Sequence, residues 1–452
     1  MRVLKQSRID PFLETIAPEA WLKTRSRRST RILAGIGVGA MVVYGAKVAI
    51  NLFGPSLPYS MPDCPGGSNE SPEFLEFLSV VTDAPVRRAR FHRYLNGPEF
   101  YPAQLEGIRD AKNAVNMEYY EWSPGEVSGE FLRALTERAR NGVEVQIVVD
   151  AIGSFKTPRS IFNELCAAGG KMYWYHPIRW DTWQYANNRT HRKLTVIDGH
   201  TGFAGGAGIA DHWMQATKKG GPRWRDTVFS IEGDAVPGLL SAFSENWLEA
   251  SGKILSGRQQ FGFRDSNEGT PSLVVVSTPG GGGTTARVLF QALIKSAKKD
   301  ITITTPYFLP DRSARHALIE AARDRGVRVR ILTAGPHIDH PAVRRMSRHS
   351  SRHVLRAGAE IWEYQPSMIH AKLMIVDNAW CVLGSTNFDH RSFALNDEIN
   401  VATLDRELAA TLLGDFEEDL GQSKKLTLEM LAPRGIVGEL ELFVGELLAR
   451  ES

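Results

Sequence analysis

The sequence predicts an α/β protein in which two like α/β sandwich halves form one catalytic unit with a shared cleft, behind an apolar N-terminal segment. Three observations carry that expectation. One rare spacing occurs twice, as HRKLTVID at 191–198 and HAKLMIVD at 370–377, each with a His two residues before a Lys and seven before an Asp. The surroundings repeat as well: AKNAVNMEYYEWSP (111–124) aligns with AKKDITITTPYFLP (297–310), and LTERARNGVEVQIVVDAIGS (135–154) with IEAARDRGVRVRILTAGPHI (319–338). Finally, these stretches alternate helix ends with β-rich runs, the pattern that builds a sheet with helices on its faces.

Length and composition agree. The 452 residues suffice for two domains of ordinary size, and 42% hydrophobic with 23% charged residues is globular. A net charge of +3 gives no compositional argument for nucleic acid. Cys64, Cys166 and Cys381 form no C-x-x-C and no metal-ligand spacing, and Cys166 and Cys381 sit in apolar runs that predict buried, inert thiols.

Along the chain, Arg25, Arg27, Arg28 and Arg31 precede ILAGIGVGAMVVYGA (32–46), Lys47 and VAINLFG (48–54). A spanning helix needs about 20 apolar residues. This run reaches that length only if Lys47 snorkels or lines a partner helix. A membrane anchor within 1–54 is the expectation, with a signal peptide or a buried core helix as rivals. The arginines then place the N-terminus on the cytoplasmic side and the catalytic body on the other face. The Pro-, Gly- and Ser-rich stretch after Gly54 reads as a linker, 55–84.

The first repeat spans 85–260. A helix ending at Gly142 feeds VEVQIVVD, and AAGGKMYWYHP (167–177) adds a further helix end and strand. SNEGTPSLVVVSTPGGGGTT (266–285) marks the join. Its glycine run at 280–283 lacks the Gly-Lys-Ser/Thr ending of a phosphate loop and reads as a flexible connection. The second repeat, 266–425, has its helix end at Gly326 and its later strand in RAGAEIWEYQP (356–366). Only SMI separates Pro366 from His370, whereas IRWDTWQYANNRT separates Pro177 from His191. With Tyr173, Trp174 and Tyr175, this insertion makes an aromatic patch containing Trp180, Trp183 and Tyr185. Such a patch suits a substrate entrance touching lipid or simple core packing. HPAVRRMSRHSSRHVLRAG (340–358) carries Arg344, Arg345, Arg348, Arg352 and Arg356, either a solvated helix face or a collector of anionic groups. Residues 426–452 hold an amphipathic helix whose acidic polar face disfavours an anionic membrane.

On a strand, residues i and i+2 share a face, so His191 and Lys193 project together, as do His370 and Lys372. An imidazole beside a fixed ammonium suits chemistry on a phosphate oxyanion. A Gly-rich turn follows each motif at the same offset: GGAGIAD (205–211) and GSTNFDHRS (384–392).

These residues resemble the phospholipase D superfamily, whose mark is a duplicated H-x-K-x-x-x-x-D followed by G-G/S-x-N. The second copy fits throughout, with Gly384, Ser385, Asn387, Asp389 and Arg391. The first departs at Gly208, where the family usually has Asn, leaving one phosphate or imidazole hydrogen bond unaccounted for. NGPEFYPAQLEGIRDAKNAV (96–115), RWRDTVFSIEGDAV (223–236) and TTPYFLPD (304–311) extend the likeness to bacterial cardiolipin synthases over roughly residues 85–425.

The resemblance implies that each half contributes one His–Lys pair to a common cleft. It gives His191 the part of nucleophile, forming a phosphohistidine, and His370 that of acid and base. Lys193, Lys372, Ser385 and Asn387 would hold the phosphate oxygens. Asp226 and Glu398, each downstream of one motif, would fix the imidazole tautomers. Asp198 and Asp377 complete the motif's catalytic set, although bonding to backbone or a cation is the expected role. No cofactor and no metal is required. The implied reaction moves a phosphatidyl group between phosphatidylglycerol molecules. Hydrolysis to phosphatidic acid and a nuclease-like phosphodiesterase are the alternatives. Nucleic acid is disfavoured because one chain carries both motifs, and intact His–Lys pairs disfavour a noncatalytic scaffold. The implied partners are an anionic phospholipid and a bacterial-type inner membrane, with the body on the extracytoplasmic side.

Overall fold

The computed structural model describes residues 59–61, 65–178, 187–216, 221–257, 260–261, 268–279 and 284–431. The chain lays down α1 (Pro72–Val81), β1 (Arg87–Leu95), α2 (Asn96–Asp110), β2 (Ala114–Tyr119), α3 (Glu126–Arg140), β3 (Glu144–Asp150), α4 (Asn163–Ala167), β4 (Lys171–Tyr175), β5 (Arg189–Thr190), β6 (Lys193–Ile197), β7 (Thr201–Gly205), α5 (Asp211–Met214), β8 (Thr227–Gly233) and α6 (Val236–Ser251). It continues with β9 (Thr270–Ser277), α7 (Thr285–Ser296), β10 (Asp300–Thr304), β11 (Phe308–Leu309), α8 (Arg312–Arg323), β12 (Arg328–Ala334), α9 (Pro341–Arg356), β13 (Glu360–Tyr364), β14 (Leu373–Val376), β15 (Trp380–Gly384), β16 (Phe388–Asp389), α10 (His390–Ala394), β17 (Asn396–Leu404), α11 (Arg406–Gly421) and β18 (Ser423–Lys425).

A 16-stranded sheet follows the order β18-β13-β12-β10-β14-β15-β17-β9-β1-β8-β7-β6-β2-β3-β4, with β5 attached through β17. Outward from the antiparallel β1–β9 pair, one side therefore runs β8-β7-β6-β2-β3-β4. The other side runs β17-β15-β14-β10-β12-β13, and matching sequence stretches occupy matching places. The outer strands β2, β3 and β4 pair in parallel, as do β10, β12 and β13. Parallel strands are covered on both faces, which is why EVQIVVD and RVRILTA are buried at every position but the first. The helices feeding them stop where Gly142 (φ 84°) and Gly326 (φ 67°) adopt left-handed backbone.

Helices cover both faces. Phe100, Leu105, Phe131 and Leu135 from α2 and α3 pack on one side of β2 and β3. Leu289, Leu293, Ala317 and Leu318 from α7 and α8 do the same for β10 and β12. On the opposite face, α6 and α11 lie over a third core that takes Leu194, Val196, Ile375 and Leu383 from both flanks of the sheet. Alternation along β14 is strict: Met374 and Val376 enter one core, Leu373 and Ile375 the other.

Several expectations change here. The segment expected as a linker is fastened to the body where it is described. Ser71 caps α1 by accepting the Phe74 N–H, and Phe74 and Leu78 are fully buried, each contributing roughly 1.5–3 kcal/mol. Trp380 Nε1 donates to the Asn69 carbonyl at 2.6 Å. Cys381 is buried as expected, but Cys166 is exposed, because α4 turns Leu165 inward and its neighbour outward. The basic row on α9 is partly engaged: Arg344 and Arg348 both clasp the buried Glu363 of β13, Arg348 at 2.7 and 2.8 Å. Tyr175 is core, its hydroxyl donating to Asp397 at 2.7 Å and Glu249 at 2.8 Å. Among the described residues no helix is long and apolar enough to cross a membrane. The candidate anchor, Cys64, Trp180, Trp183, Tyr185, the glycine run 280–283 and residues 432–452 of the expected C-terminal helix lie outside the described residues, and of its first six residues only Glu429–Leu431 form a 3₁₀ turn.

Candidate active site

Each His–Lys pair stands at the mouth of a strand: β6 begins at Lys193 and β14 at Leu373. Alternation nevertheless holds. Between His191 and Lys193, Arg192 turns the other way, donating to the Ala242 carbonyl and to Glu245, both at 2.7 Å, on α6. His191, Lys193, His370 and Lys372 are all at least nine-tenths buried.

The two motif-bearing segments interlock at these positions. β5 pairs with β17, and the His191 N–H donates to the Asp397 carbonyl at 2.9 Å. Likewise an isolated bridge joins Arg225 to Ile369, and the His370 N–H donates to the Arg225 carbonyl at 2.7 Å. Each histidine's backbone is thus tied to the residue just before the other half's carboxylate. The side chains follow: His191 Nδ1 lies 2.9 and 3.1 Å from the carboxylate oxygens of Glu398, and His370 Nδ1 lies 3.1 Å from Asp226 Oδ2. The sequence left open which carboxylate serves which histidine; the fold crosses them, Glu398 to the first-motif His191 and Asp226 to the second-motif His370. A carboxylate on Nδ1–H leaves Nε2 with the lone pair that nucleophilic or acid/base work needs.

Lys193 Nζ donates to the His191 carbonyl at 2.6 Å, and Lys372 Nζ to that of His370. Lys372 Nζ is also 2.9 Å from His370 Nδ1, so that nitrogen serves either Lys372 or Asp226 at one time. Tyr120 packs edge-on to His191 at 5.2 Å, and Trp213 and Trp224 flank His370 at 5.6 and 5.5 Å.

Burial dominates the electrostatics. It pushes His370 down to about 3, aided by Lys372 against the pull of Asp226. His191 falls well below its ordinary value through burial and then Lys193, Lys372 and Arg391. Lys193 is lowered by burial and by Lys372, and burial takes Lys372 down to about 8 despite Asp226 and Glu398. Both ammoniums act on both imidazoles, so the four groups share one electrostatic site. The carboxylates diverge. Burial lifts Glu398 to about 7, against Lys193 and the hydroxyls of Ser385 and Ser392. Burial also works against ionised Asp226, but the His370 hydrogen bond and the charges of His370 and Lys372 outweigh it and hold Asp226 below the ordinary range.

The remaining candidates divide. Ser385 Oγ donates to Glu398 Oε2 at 2.5 Å and accepts the Ile399 N–H at 3.0 Å, so it orients the carboxylate. Asn387 is buried on the same turn, where it bonds Asp389. Asp198 and Asp377 are not brought to the histidines. They lie at the far ends of β6 and β14, on the order of 15 Å along the strand. Asp198 accepts backbone N–H groups from Lys112, Asn113 and Ala114 at 2.7–2.9 Å. Asp377 accepts those of Lys298, Lys299 and Asp300, with Asn69 Nδ2 at 2.8 Å. Both pin the start of the neighbouring antiparallel strand, β2 or β10. Among the described residues, no group of three or more His, Cys, Asp or Glu is arranged to hold a metal ion.

The phospholipase D-like domain of cardiolipin synthase, as a family model, matches residues 105–216 and again 290–420. The chain belongs to the cardiolipin synthase family of the phospholipase D superfamily. It is accordingly an enzyme. The probable cardiolipin synthase YwiE of Bacillus subtilis is 34% identical over 75% of this chain and 68% of its own length. Cardiolipin synthase 2 of Bacillus cereus is 35% identical over 73% of this chain and 64% of its own, so the chain spans about two thirds of these curated relatives. Phosphatidylserine synthase of Haemophilus influenzae shares the fold, with a TM-score of 0.61 at 16% identity, over 83% of this chain and 97% of that one.

Sequence reasoning passed over Trp213, whose indole Nε1 donates to Asp226 Oδ2 at 3.0 Å, and Ser392, which bonds Glu398. An offset count would have flagged both: Trp213 stands five residues after Gly208, as Ser392 does after Asn387.

Proposed function

We propose that this enzyme transfers a phosphatidyl group from one phosphatidylglycerol to a hydroxyl of another, through a phosphohistidine at His191. Two sequence halves, related by duplication, would form the single cleft. The observation that carries the reading is the crossed pair of His–carboxylate units with two buried ammoniums acting on both. A phosphodiester anion is the ligand such a site favours, since it offsets buried positive charge.

In the first step His191 Nε2 attacks phosphorus, and the bond from phosphorus to the glycerol headgroup oxygen breaks. His370, neutral in the free site, would take up a proton as the bound phosphodiester anion offsets the buried ammoniums; Asp226 stabilises that imidazolium, which donates its proton to the departing alkoxide, releasing glycerol. In the second step a phosphatidylglycerol hydroxyl passes its proton to His370 and attacks phosphorus. The phosphorus–nitrogen bond breaks, and His191 is regenerated beside the product, cardiolipin. Lys193 and Lys372 hold the non-bridging oxygens throughout. The apolar run 32–54 would anchor the body at the extracytoplasmic face of the membrane, beside its substrate.

The test is to incubate the detergent-purified full chain with phosphatidylglycerol vesicles, with and without chelator, and identify the lipid products by mass spectrometry. Cardiolipin with released glycerol, insensitive to chelator, is the expected outcome. Phosphatidic acid alone would replace transfer by hydrolysis, and no turnover would refute a phosphatidylglycerol substrate.

A further inference from the structure

The two carboxylates are held by different chemistry. Glu398 is bonded by the hydroxyls of Ser385 and Ser392. The positions matching those serines in the first half are Gly206 and Trp213. Gly206 offers no donor and has no room for one, since a Cβ there would lie 2.5 Å from Asp226 Oδ1 and 2.6 Å from the His370 carbonyl. Gly208, where the family motif has Asn, is equally closed: a Cβ would meet the Glu121 carbonyl at 2.7 Å and the Trp213 ring at 3.3 Å. The buried indole of Trp213 fills this space. Its Nε1–H reaches the same Asp226 oxygen that His370 Nδ1 addresses. Its ring lies 5.6 Å from the His370 ring and packs 5.1 Å from Trp224.

We propose that Trp213 is the positioning residue of the His370–Asp226 pair, its indole N–H supplying at Asp226 the bond that the two serine hydroxyls supply at Glu398. The side-chain donor that Gly206 lacks is therefore supplied from α5. A donor to an ionised carboxylate keeps Asp226 charged and oriented, and through it the imidazolium that protonates the leaving group. This inference rests on the acid/base role given to His370 above. It predicts a defect confined to steps that need a proton delivered.

Two replacements in the full chain remove the donor: Trp213→Phe, and 3-benzothienylalanine at position 213, which keeps the indole's shape with sulfur in place of N–H. Both should lower kcat on phosphatidylglycerol about tenfold with KM little changed, the loss of one hydrogen bond to a charged group. With phosphatidyl-p-nitrophenol, whose leaving group departs without a proton, the burst of nitrophenolate should keep its wild-type rate. An equal loss on both substrates, or no loss on either, would overturn the proposal. Should wild type make no cardiolipin, the functional reading fails but the contact is still testable. The Trp213 indole ¹⁵N–¹H resonance, identified by its absence in the benzothienyl protein, should shift in Asp226→Asn; an unmoved resonance would overturn the proposal without reference to turnover.

Discussion

Asp226 and Glu398 occupy matching places in the sheet, at the edge of β8 and within β17, and each reaches across to the other half's histidine. Their environments nevertheless separate them. Asp226 is ionised well into the acid range, held by His370, Lys372 and the backbone N–H of Thr227. Glu398, buried as deeply, is pushed up to about 7. Two carboxylates whose environments pull their protonation apart are suited to different tasks. The anion beside His370 pulls toward an imidazolium, but burial and Lys372 outweigh it and keep the free imidazole neutral, so an acid role would need the charge of a bound phosphodiester. Burial, with Lys193, Lys372 and Arg391, keeps the His191 imidazole uncharged, the state that the proposed nucleophile needs. The near-symmetric strand order thus houses two carboxylates in unequal environments.

The largest expected effect breaks the pair outright. His191→Ala and His370→Ala should each lower turnover about a thousandfold or more, but they should differ on phosphatidyl-p-nitrophenol. His370→Ala should still release a burst of nitrophenolate and His191→Ala none, as stopped-flow absorbance would report; identical behaviour would remove the distinction. Next, Asp226→Asn and Glu398→Gln should each cost on the order of a hundredfold or more in kcat. Glu398→Gln alone should flatten the acid limb of the rate profile.

That profile is itself a test. Glu398 protonates as pH falls through about 7, loosening its hold on the His191 tautomer. Lys372 loses its proton as pH rises through about 8, weakening the grip on phosphate. The kcat/KM of wild type should therefore be bell-shaped with limbs near those values, falling about tenfold per pH unit outside them; a flat response from pH 6 to 9 would contradict it. The smallest effect is on stability. Gly208→Asn, which restores the family residue, should destabilise the fold by about 1–3 kcal/mol by thermal or denaturant unfolding, because its Cβ meets the Glu121 backbone.

Much of the site was legible because spacing encodes it. The shared face of His191 with Lys193 and of His370 with Lys372 follows from i, i+2 alternation, whereas Asp226 and Glu398 came from the family resemblance, which puts a carboxylate downstream of each motif. Which carboxylate serves which histidine was not legible, since it depends on the β1–β9 contact that sets one half against the other. Ser385 was expected on phosphate, but a hydroxyl cannot announce from sequence that a buried carboxylate stands within reach. The departure at Gly208 was visible; the offset of Trp213 singles out its position, but a lone Trp reads equally well as core, so its bond to Asp226 was not visible. Pro/Gly content made 55–84 look free, although Phe74 and Leu78 carry enough apolar surface to dock α1.

The most direct test of the asymmetry is to find the phosphorylated residue. Full-length enzyme mixed with phosphatidyl-p-nitrophenol, quenched within the burst at neutral pH and digested, would be read by tandem mass spectrometry for the adduct-bearing histidine. The account predicts phosphatidyl or phosphoryl modification on His191 with His370 unmodified. Modification on His370 would contradict it.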